Sequence, residues 1–435
     1  MSSQQILIIS TSPVGASMGG VGIRALELAR VLRAQGDVTI AAPDSLAGKI
    51  DGIRVVSYVH RAPAALKPLV ASADVIVAQP QWPALAAWLR RSRARIVFDL
   101  YDPEIFENLE HFVHTPGRLT GLWTSLTLDR LTSALHAGDM FVCATEAQRD
   151  LWLGTMLGER LINAAEYARD PTLHHRIAVV PFGVPDEPCV AQGPSIHEVI
   201  PSVPANARIV LWNGGLWNWL DPLTPIRAVA MIRERHPDVH LVFMGASSHA
   251  AAARASASAH ELATSLGLLG NGVHFNTEWV PYEERSAFLM GAECSVSAHH
   301  DHLETRFAFR TRVLDCFWSG LPVVCSHGDA LADYVDRHDL GAAVPADDAP
   351  AMAAALDRVL ARGRADYAAH LADAAAEHAW SRVARPIVEF IEGSNVVGQR
   401  HRSHVPVGVR TRSRAYRVLR AGANALHRGS PTQGD

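Results

Sequence analysis

The sequence predicts an α/β protein of two domains, each built on a doubly wound parallel sheet, and three features carry that expectation. Short apolar runs alternate with stretches of helical periodicity. The rhythm breaks once, at PFGVPDEPCVAQGP (181–194), which is dense in proline and glycine, and then restarts. The chain has 435 residues, 48% hydrophobic and 19% charged, enough for two ordinary globular domains.

Taken in order, ILIIS (6–10), VTIAA (38–42), IRVVS (53–57), DVIVA (74–78), RIVFD (95–99), MFVCA (140–144) and IAVVP (177–181) read as strands of the first sheet. RALELARVLRAQG (24–36) reads as a helix that Gly36 caps. After the linker, RIVLWNG (208–214), VHLVFMG (239–245), VHFN (273–276), CSVSA (294–298), PVVCS (322–326) and GAAVP (341–345) supply the second sheet. A helix near SRVARPIVEFIEG (381–393) follows. The plan is a Rossmann-like domain over 1–185, a second over 186–380, a terminal helix over 381–397 and a basic tail over 398–435.

Composition narrows the class. A net charge of −4 excludes little, and no nucleic-acid partner is expected. The five cysteines, Cys143, Cys189, Cys294, Cys316 and Cys325, are scattered and never form a C-x-x-C pair, which fits a reducing compartment and argues against structural zinc. The opening MSSQQILIISTSP has no basic n-region and reads as a first strand, not a signal peptide. No run reaches the ~18–20 apolar residues of a membrane span. A cytoplasmic location is therefore expected. Of 40 basic residues only Lys49 and Lys67 are lysines, a bias without functional weight.

The richest segment is ETRFAFRTRVLDCFWSGLPVV (304–324). Val313, Leu314, Phe317 and Trp318 recur at helical spacing, so a helix runs from about Thr311 to Ser319; Gly320 stands where a left-handed C-cap belongs, and Pro322 opens a strand. Ligands of such folds bind beyond the carboxyl ends of strands, against helix N-termini. A diphosphate placed there meets unsatisfied backbone N–H groups and the forks of Arg310 and Arg312, and Asp315, one turn in, suits a pair of ribose hydroxyls. The plainer alternative makes Arg312 and Asp315 a surface i,i+3 pair.

Two other stretches carry chemistry. In TSPVGASMGGVGIRALELA (11–29), Gly19, Gly20 and Gly22 precede a helix and let the backbone approach a phosphate; Gly20, Gly22 and Ala25 even satisfy G-x-G-x-x-A, with Asp44 ending the second strand. The fingerprint's first glycine should close the first strand, however, and here a long loop intervenes, so a glycine-rich loop reaching across a cleft fits better; the alternative is that the glycines only shape the loop. VFDLYDPEIFENLEH (97–111) places Asp99, Asp102 and Glu104 at the carboxyl end of a strand, as binding groups or as helix-capping and salt-bridged acids. HHDH (299–302) invites a metal, but its four side chains cannot all face one ion, and no metal is expected.

Together the G-G-x-G loop, the Pro-rich crossing, FRTRVLDCFWSGLPVVCS and DLGAAVPADD resemble glycosyltransferase family 4 over nearly all of residues 5 to 395. The resemblance implies the GT-B architecture, two Rossmann-like domains facing across a cleft, with the terminal helix packing back on the first. It implies a retaining transfer of a hexose-type sugar from a nucleotide sugar, with no cofactor and with the leaving phosphate accepting the acceptor's proton. On the matching positions Asp315 binds the ribose. Gly214, Gly215, Arg306, Arg310, Thr311 and Arg312 lie near the diphosphate, with Gly19, Gly20 and Gly22 opposite. Asp99, Asp102 and Glu104 contact the acceptor, and Asp102 and Glu304 are the candidate catalytic acids.

The chain departs from that pattern twice. The family's two acids are seven residues apart, but the position eight before Asp315 is Phe307, so Glu304, or His299, Asp301 or His302, takes the first acid's place. The usual Arg and Lys after the second domain's first strand are absent from NGGLWNWLDPLTPIRA (213–228), where Trp217 and Trp219 offer rings for stacking or for core packing. These departures keep open a non-catalytic partner protein of the same fold and a sugar-nucleotide epimerase. The acceptor class is a glycan, a lipid-linked molecule or a small molecule. The tail's RTRSRAYRVLRAGANALHR (410–428) carries a thin apolar stripe between arginines, suited to peripheral contact with the inner face of a membrane or to a disordered tail.

Overall fold

The computed structural model describes residues 3–393, apart from 17, 46, 60–62, 115, 116, 118 and 246–249, together with 408–409. The features expected of the remaining tail lie outside the described residues. Two sheets organise the chain. The first holds β1 (Gln4–Ile9), β2 (Gly36–Pro43), β3 (Gly48–Ile50), β4 (Ile53–Tyr58), β5 (Val75–Ala78), β6 (Arg95–Asp99), β7 (Met140–Cys143) and β8 (Ile177–Val179), in the order β3-β4-β2-β1-β5-β6-β7-β8. The second holds β9 (Arg208–Trp212), β10 (Val239–Phe243), β11 (Val273–Phe275), β12 (Cys294–Ser297), β13 (Val323–Ser326) and β14 (Gly341–Val344), in the order β11-β10-β9-β12-β13-β14.

Every pairing is parallel except β3–β4. Parallel strands are covered on both faces and so read as continuous apolar runs. In β1, for example, Ile6 and Ile8 join one buried cluster while Leu7 and Ile9 join the other. All thirteen predicted strands have a counterpart. The hairpin partner β3 was not predicted: it is only three residues, and its turn places Asp51 and Gly52 at φ 50° and 81°, the left-handed pair that an Asp-Gly dipeptide favours.

The first helix needs correction. It spans Gly20–Leu32 rather than 24–36, and Gly36 is not its cap but the first residue of β2. A Cβ on Gly36 would stand 2.1 Å from the carbonyl oxygen of Gln4, so the glycine serves the close approach of β1 and β2. The helix Thr311–Ser319 has the expected bounds, and Gly320 is left-handed at φ 67°.

The chain crosses between the sheets twice. Val184 bridges to Ala379, and Gly183 lies so close to Trp380 that a Cβ would come within 2.7 Å of the indole. Phe182 and Trp380, with ring centroids 5.0 Å apart, belong to the buried cluster that continues from the first sheet into the second domain. The terminal helix Arg385–Glu392 then returns to the first sheet, where the Arg95 guanidinium donates to the Phe390 and Ile391 carbonyls at 2.6 Å each. A cation at those carbonyls meets the negative end of the helix dipole.

Candidate active site

The cleft between the sheets holds a cavity of about 440 Å³. Gly20, Asp102, Glu107 and His111 line it from the first domain; Trp217, Trp219, Glu304, Arg310 and Thr311 line it from the second. Two helices begin at this cavity from opposite domains. The N-cap residues are Gly19 and Arg310, and neither helix has a side-chain cap, so first-turn N–H groups and two positive dipole ends remain available to an anion. Trp217 and Trp219 stack on each other, centroids 5.4 Å apart and planes within 3°, as one flat wall.

The opposite wall is acidic. Asp102 is partly buried just beyond β6. Burial, then the negative charges of Glu104 and Glu304, push its carboxyl up to about 7, against the opposing pull of Arg130. Glu107, in the first turn of helix Glu104–His114, is raised well above the carboxylate range by burial and then by Asp102 and Glu304, while Arg310 across the cleft opposes the shift. Neither acid has an ion-pair partner within 4 Å among the described residues, so both are free to bind hydroxyl groups. Sequence reasoning missed Glu107. The signal was present: Glu104 and Glu107 are an i,i+3 pair at the start of one helix, directly after Asp102.

The predicted site residues divide. Gly20, Asp102, Glu304, Arg310 and Thr311 meet at the cavity. Asp99 does not: it is 3% exposed and saturated by a two-pronged pair with the fully buried Arg24, at 2.6 and 3.0 Å. Glu104 is held by Arg130 at 2.9 Å, and Arg306 lies exposed over the Phe307 ring. Gly22 is a packing glycine, since its Cβ would sit 2.1 Å from the Pro13 oxygen. Asp315 pairs with Arg285 at 3.0 Å, and that guanidinium is sandwiched against Tyr282 and Trp318, so Asp315 is not among the residues lining the cavity.

The two arginines expected together at the diphosphate differ in their partners. Arg310 is committed: its two terminal nitrogens grip both oxygens of Glu304 at 2.9 and 2.5 Å, and its Nε lies 3.9 Å from Asp329. Glu304 is 1% exposed and requires that partner. Arg312 is not committed. It donates to the Gly215 carbonyl at 3.0 Å and stacks on Trp212, and Gly214, at φ 149°, leaves it room. Its buried Nη1 has no hydrogen-bond partner, and no carboxylate pairs with it among the described residues. Burial lowers its pKa to about 9, the mark of a cation short of counter-charge. Gly214 therefore faces this guanidinium, Gly215 lends it a carbonyl, and neither glycine lines the cavity.

The histidines of HHDH separate. His299 Nε2 is 3.3 Å from the Asp329 carboxylate, His300 turns to Asp347, and His302 caps helix Leu303–Phe307 while its Nε2–H donates to the Trp219 carbonyl. Phe307, at the expected position of the missing acid, stacks on Phe106 of the first domain with centroids 4.8 Å apart.

No curated protein sequence is significantly similar to the chain. Among solved structures, sucrose-phosphate synthase from Thermosynechococcus elongatus shares 16% identity at a TM-score of 0.61, over 90% of this chain and 99% of that one. Anabaena Alr3699/HepE in complex with UDP-glucose shares 16% at a TM-score of 0.62, over 89% and 99%. WaaG, a glycosyltransferase involved in lipopolysaccharide biosynthesis, shares 16% at 0.60, over 89% and 100%. Residues 207–362 match the family model of Glycosyl transferases group 1. Residues 207–362 of the second domain are thus similar to group 1 glycosyltransferases, and the chain as a whole has the GT-B fold.

Proposed function

We propose that the protein transfers a hexose-type sugar from a nucleoside-diphosphate sugar to an acceptor hydroxyl with retention of configuration. The observation that carries this reading is the pairing of two uncapped helix N-termini, from opposite domains, with the free acids Asp102 and Glu107 across one cavity. The helix termini suit the donor's diphosphate, with Arg312 the nearby cation that lacks a counter-charge. The Trp217–Trp219 wall suits an apolar sugar face or a base.

Asp102 and Glu107 bind the acceptor's hydroxyls, and Asp102, titrating near pH 7, serves as donor or acceptor of a hydrogen bond as the group requires. The leaving phosphate takes the acceptor's proton on the face where the sugar departs. No cofactor enters this scheme. Glu304 acts as the fixed partner of Arg310, stabilising the N-terminus of the donor-side helix.

The acceptor is a glycan, a lipid-linked molecule or a small molecule, and the activity belongs in the cytoplasm or on the inner face of a membrane. The free state of all five cysteines fits that compartment. No helix among the described residues is long and apolar enough to cross a membrane. The donor to try first is UDP-glucose, which HepE binds on the same fold. Thermal shift against UDP, GDP, TDP and ADP, followed by NMR of the product's anomeric proton, tests the reading. One diphosphate should stabilise the protein, by about 2.7 kcal/mol at a hundred times its Kd. Silence with all four, or an inverted product, sinks it.

A further inference from the structure

Three loops leave β9, β12 and β14 at their carboxyl ends and carry Asp221, His300 and Asp347. One ligand atom from each of these residues lies within 4.8 Å of the others. Asp221 is 2% exposed. Its Oδ1 accepts from the Leu223 and Thr224 amides, at 2.9 and 3.1 Å, and so caps helix Leu223–Arg233, but its equally buried Oδ2 has no partner. A buried carboxylate oxygen left without a donor is costly unless something electropositive meets it. His300 and Asp347 stand over it with open access to solvent, their side chains 44% and 60% exposed, joined Nδ1 to Oδ1 at 2.8 Å.

We propose that Asp221, His300 and Asp347 bind a divalent first-row cation, Mn²⁺ or Zn²⁺, that clips together the loops leaving β9, β12 and β14. The donor set of two carboxylates and one imidazole suits such an ion better than Mg²⁺ or Ca²⁺, which favour oxygen alone. The dimensions agree. Two atoms each about 2.1 Å from one ion stand about 3.0 Å apart when cis and about 4.2 Å when trans in an octahedral shell, and about 3.4 Å apart in the tetrahedral shell of zinc. The His300–Asp347 distance is already that of a cis pair, and the wider spacing closes with movements of less than about 1 Å by two exposed side chains. Binding exchanges the proton between His300 and Asp347 for the ion, and water completes the shell.

The site lies outside the transfer cavity, and its effect falls on the loop between β9 and Asp221, which carries Trp217 and Trp219. That loop is already pinned on one side by the Leu220–His299 bridge and by the Asp221 amide donating to the Ala298 carbonyl at 3.0 Å. The ion adds a second pin from the β14 side.

The test uses the full chain without nucleotide, so that its failure and that of the transferase reading are separate results. Mn²⁺ is titrated by electron paramagnetic resonance and Zn²⁺ by calorimetry against wild type, Asp221→Asn and His300→Ala. Asp221→Asn keeps a carboxamide oxygen for the helix cap, and His300→Ala changes an exposed side chain, so both fold. Saturable binding of one ion per chain, weakened roughly tenfold or more in each variant, is the expected result. Absence of saturable binding of either ion, or full affinity in either variant, overturns the site.

Discussion

Arg310 and Arg312 sit two positions apart at one helix start, yet the structure gives them different predicted phenotypes. Arg310→Ala strands the carboxylate of Glu304 at 1% exposure, and an unpaired buried charge costs about 3–5 kcal/mol. Calorimetric unfolding should therefore show a large loss of stability before any effect on ligand can be read. Arg312→Ala removes a buried cation that has no carboxylate to strand. Its fold should hold while affinity for a nucleoside diphosphate falls roughly tenfold or more, with little change for the nucleoside and only partial rescue by lysine. Equal losses for diphosphate and nucleoside would make Arg312 structural. Asp102 gives a third contrast, in pH. Its carboxyl titrates near 7 when folded and near the ordinary 3.8 when unfolded, so between those values the native state holds the extra proton and stability falls as pH rises. Asp102→Asn removes that decline. Relative to wild type the variant should gain stability as pH rises, by on the order of 2–3 kcal/mol between pH 5 and pH 8. An offset independent of pH would show that Asp102 ionises normally.

The helix Gly20–Leu32 shows how one element separates packing from chemistry. A Cβ on Gly22 would lie 2.1 Å from a backbone oxygen, whereas one on Gly20 meets nothing closer than the Tyr101 hydroxyl at 3.5 Å. Gly22→Ala should lose about 1–3 kcal/mol or more, as overpacking does, while Gly20→Ala should keep its melting temperature and narrow the cavity enough to raise the donor's KM. If both melt alike, the loop before the helix yields more easily than this geometry allows. Elements of this kind were legible in the sequence because strands buried on both faces leave apolar runs, and Gly320 with Pro322 marks a helix end by local chemistry alone. The three-residue strand β3 and the role of Gly36 left no such run. Most of the site was legible only as a set of acids and arginines. Their partners were not: Arg24 meets Asp99 across 75 residues of chain, Arg285 meets Asp315 across 30, and Arg130 meets Glu104 across 26. Which acid is satisfied and which is free depends on those distant pairings, and only the fold supplies them.

At the scale of the molecule, the cleft is closed from two sides by small contacts between domains whose buried clusters run together where the chain crosses. On one side the Gln148 side-chain amide donates to the carbonyls of Tyr101, at 2.8 Å, and Phe307, at 2.7 Å, and Phe106 stacks on Phe307. On the other, Tyr282 donates to Glu27 at 3.2 Å, Arg30 reaches Glu283 at 3.2 Å, and the Trp279 indole donates to the Ala16 carbonyl at 3.3 Å. The Phe106–Phe307 stack contributes about 0.5–1.5 kcal/mol beyond its area, and the Gln148 bond about 0.5–1.5 kcal/mol. Those sums are small against the stability of either domain but comparable to the free energy that sets an open–closed balance. Phe307→Ala combined with Gln148→Ala should therefore open the cleft, with some loss of melting temperature because the Gln148 side-chain oxygen also accepts from the buried Ala144 amide. Small-angle scattering should report a larger radius of gyration without ligand, restored by saturating donor nucleotide. The donor's KM should rise by roughly tenfold, since each 1.4 kcal/mol of closing energy must come out of binding. A double variant with the wild-type radius and KM would show that these contacts do not govern closure and that the terminal helix, anchored by Arg95, holds the two domains in place.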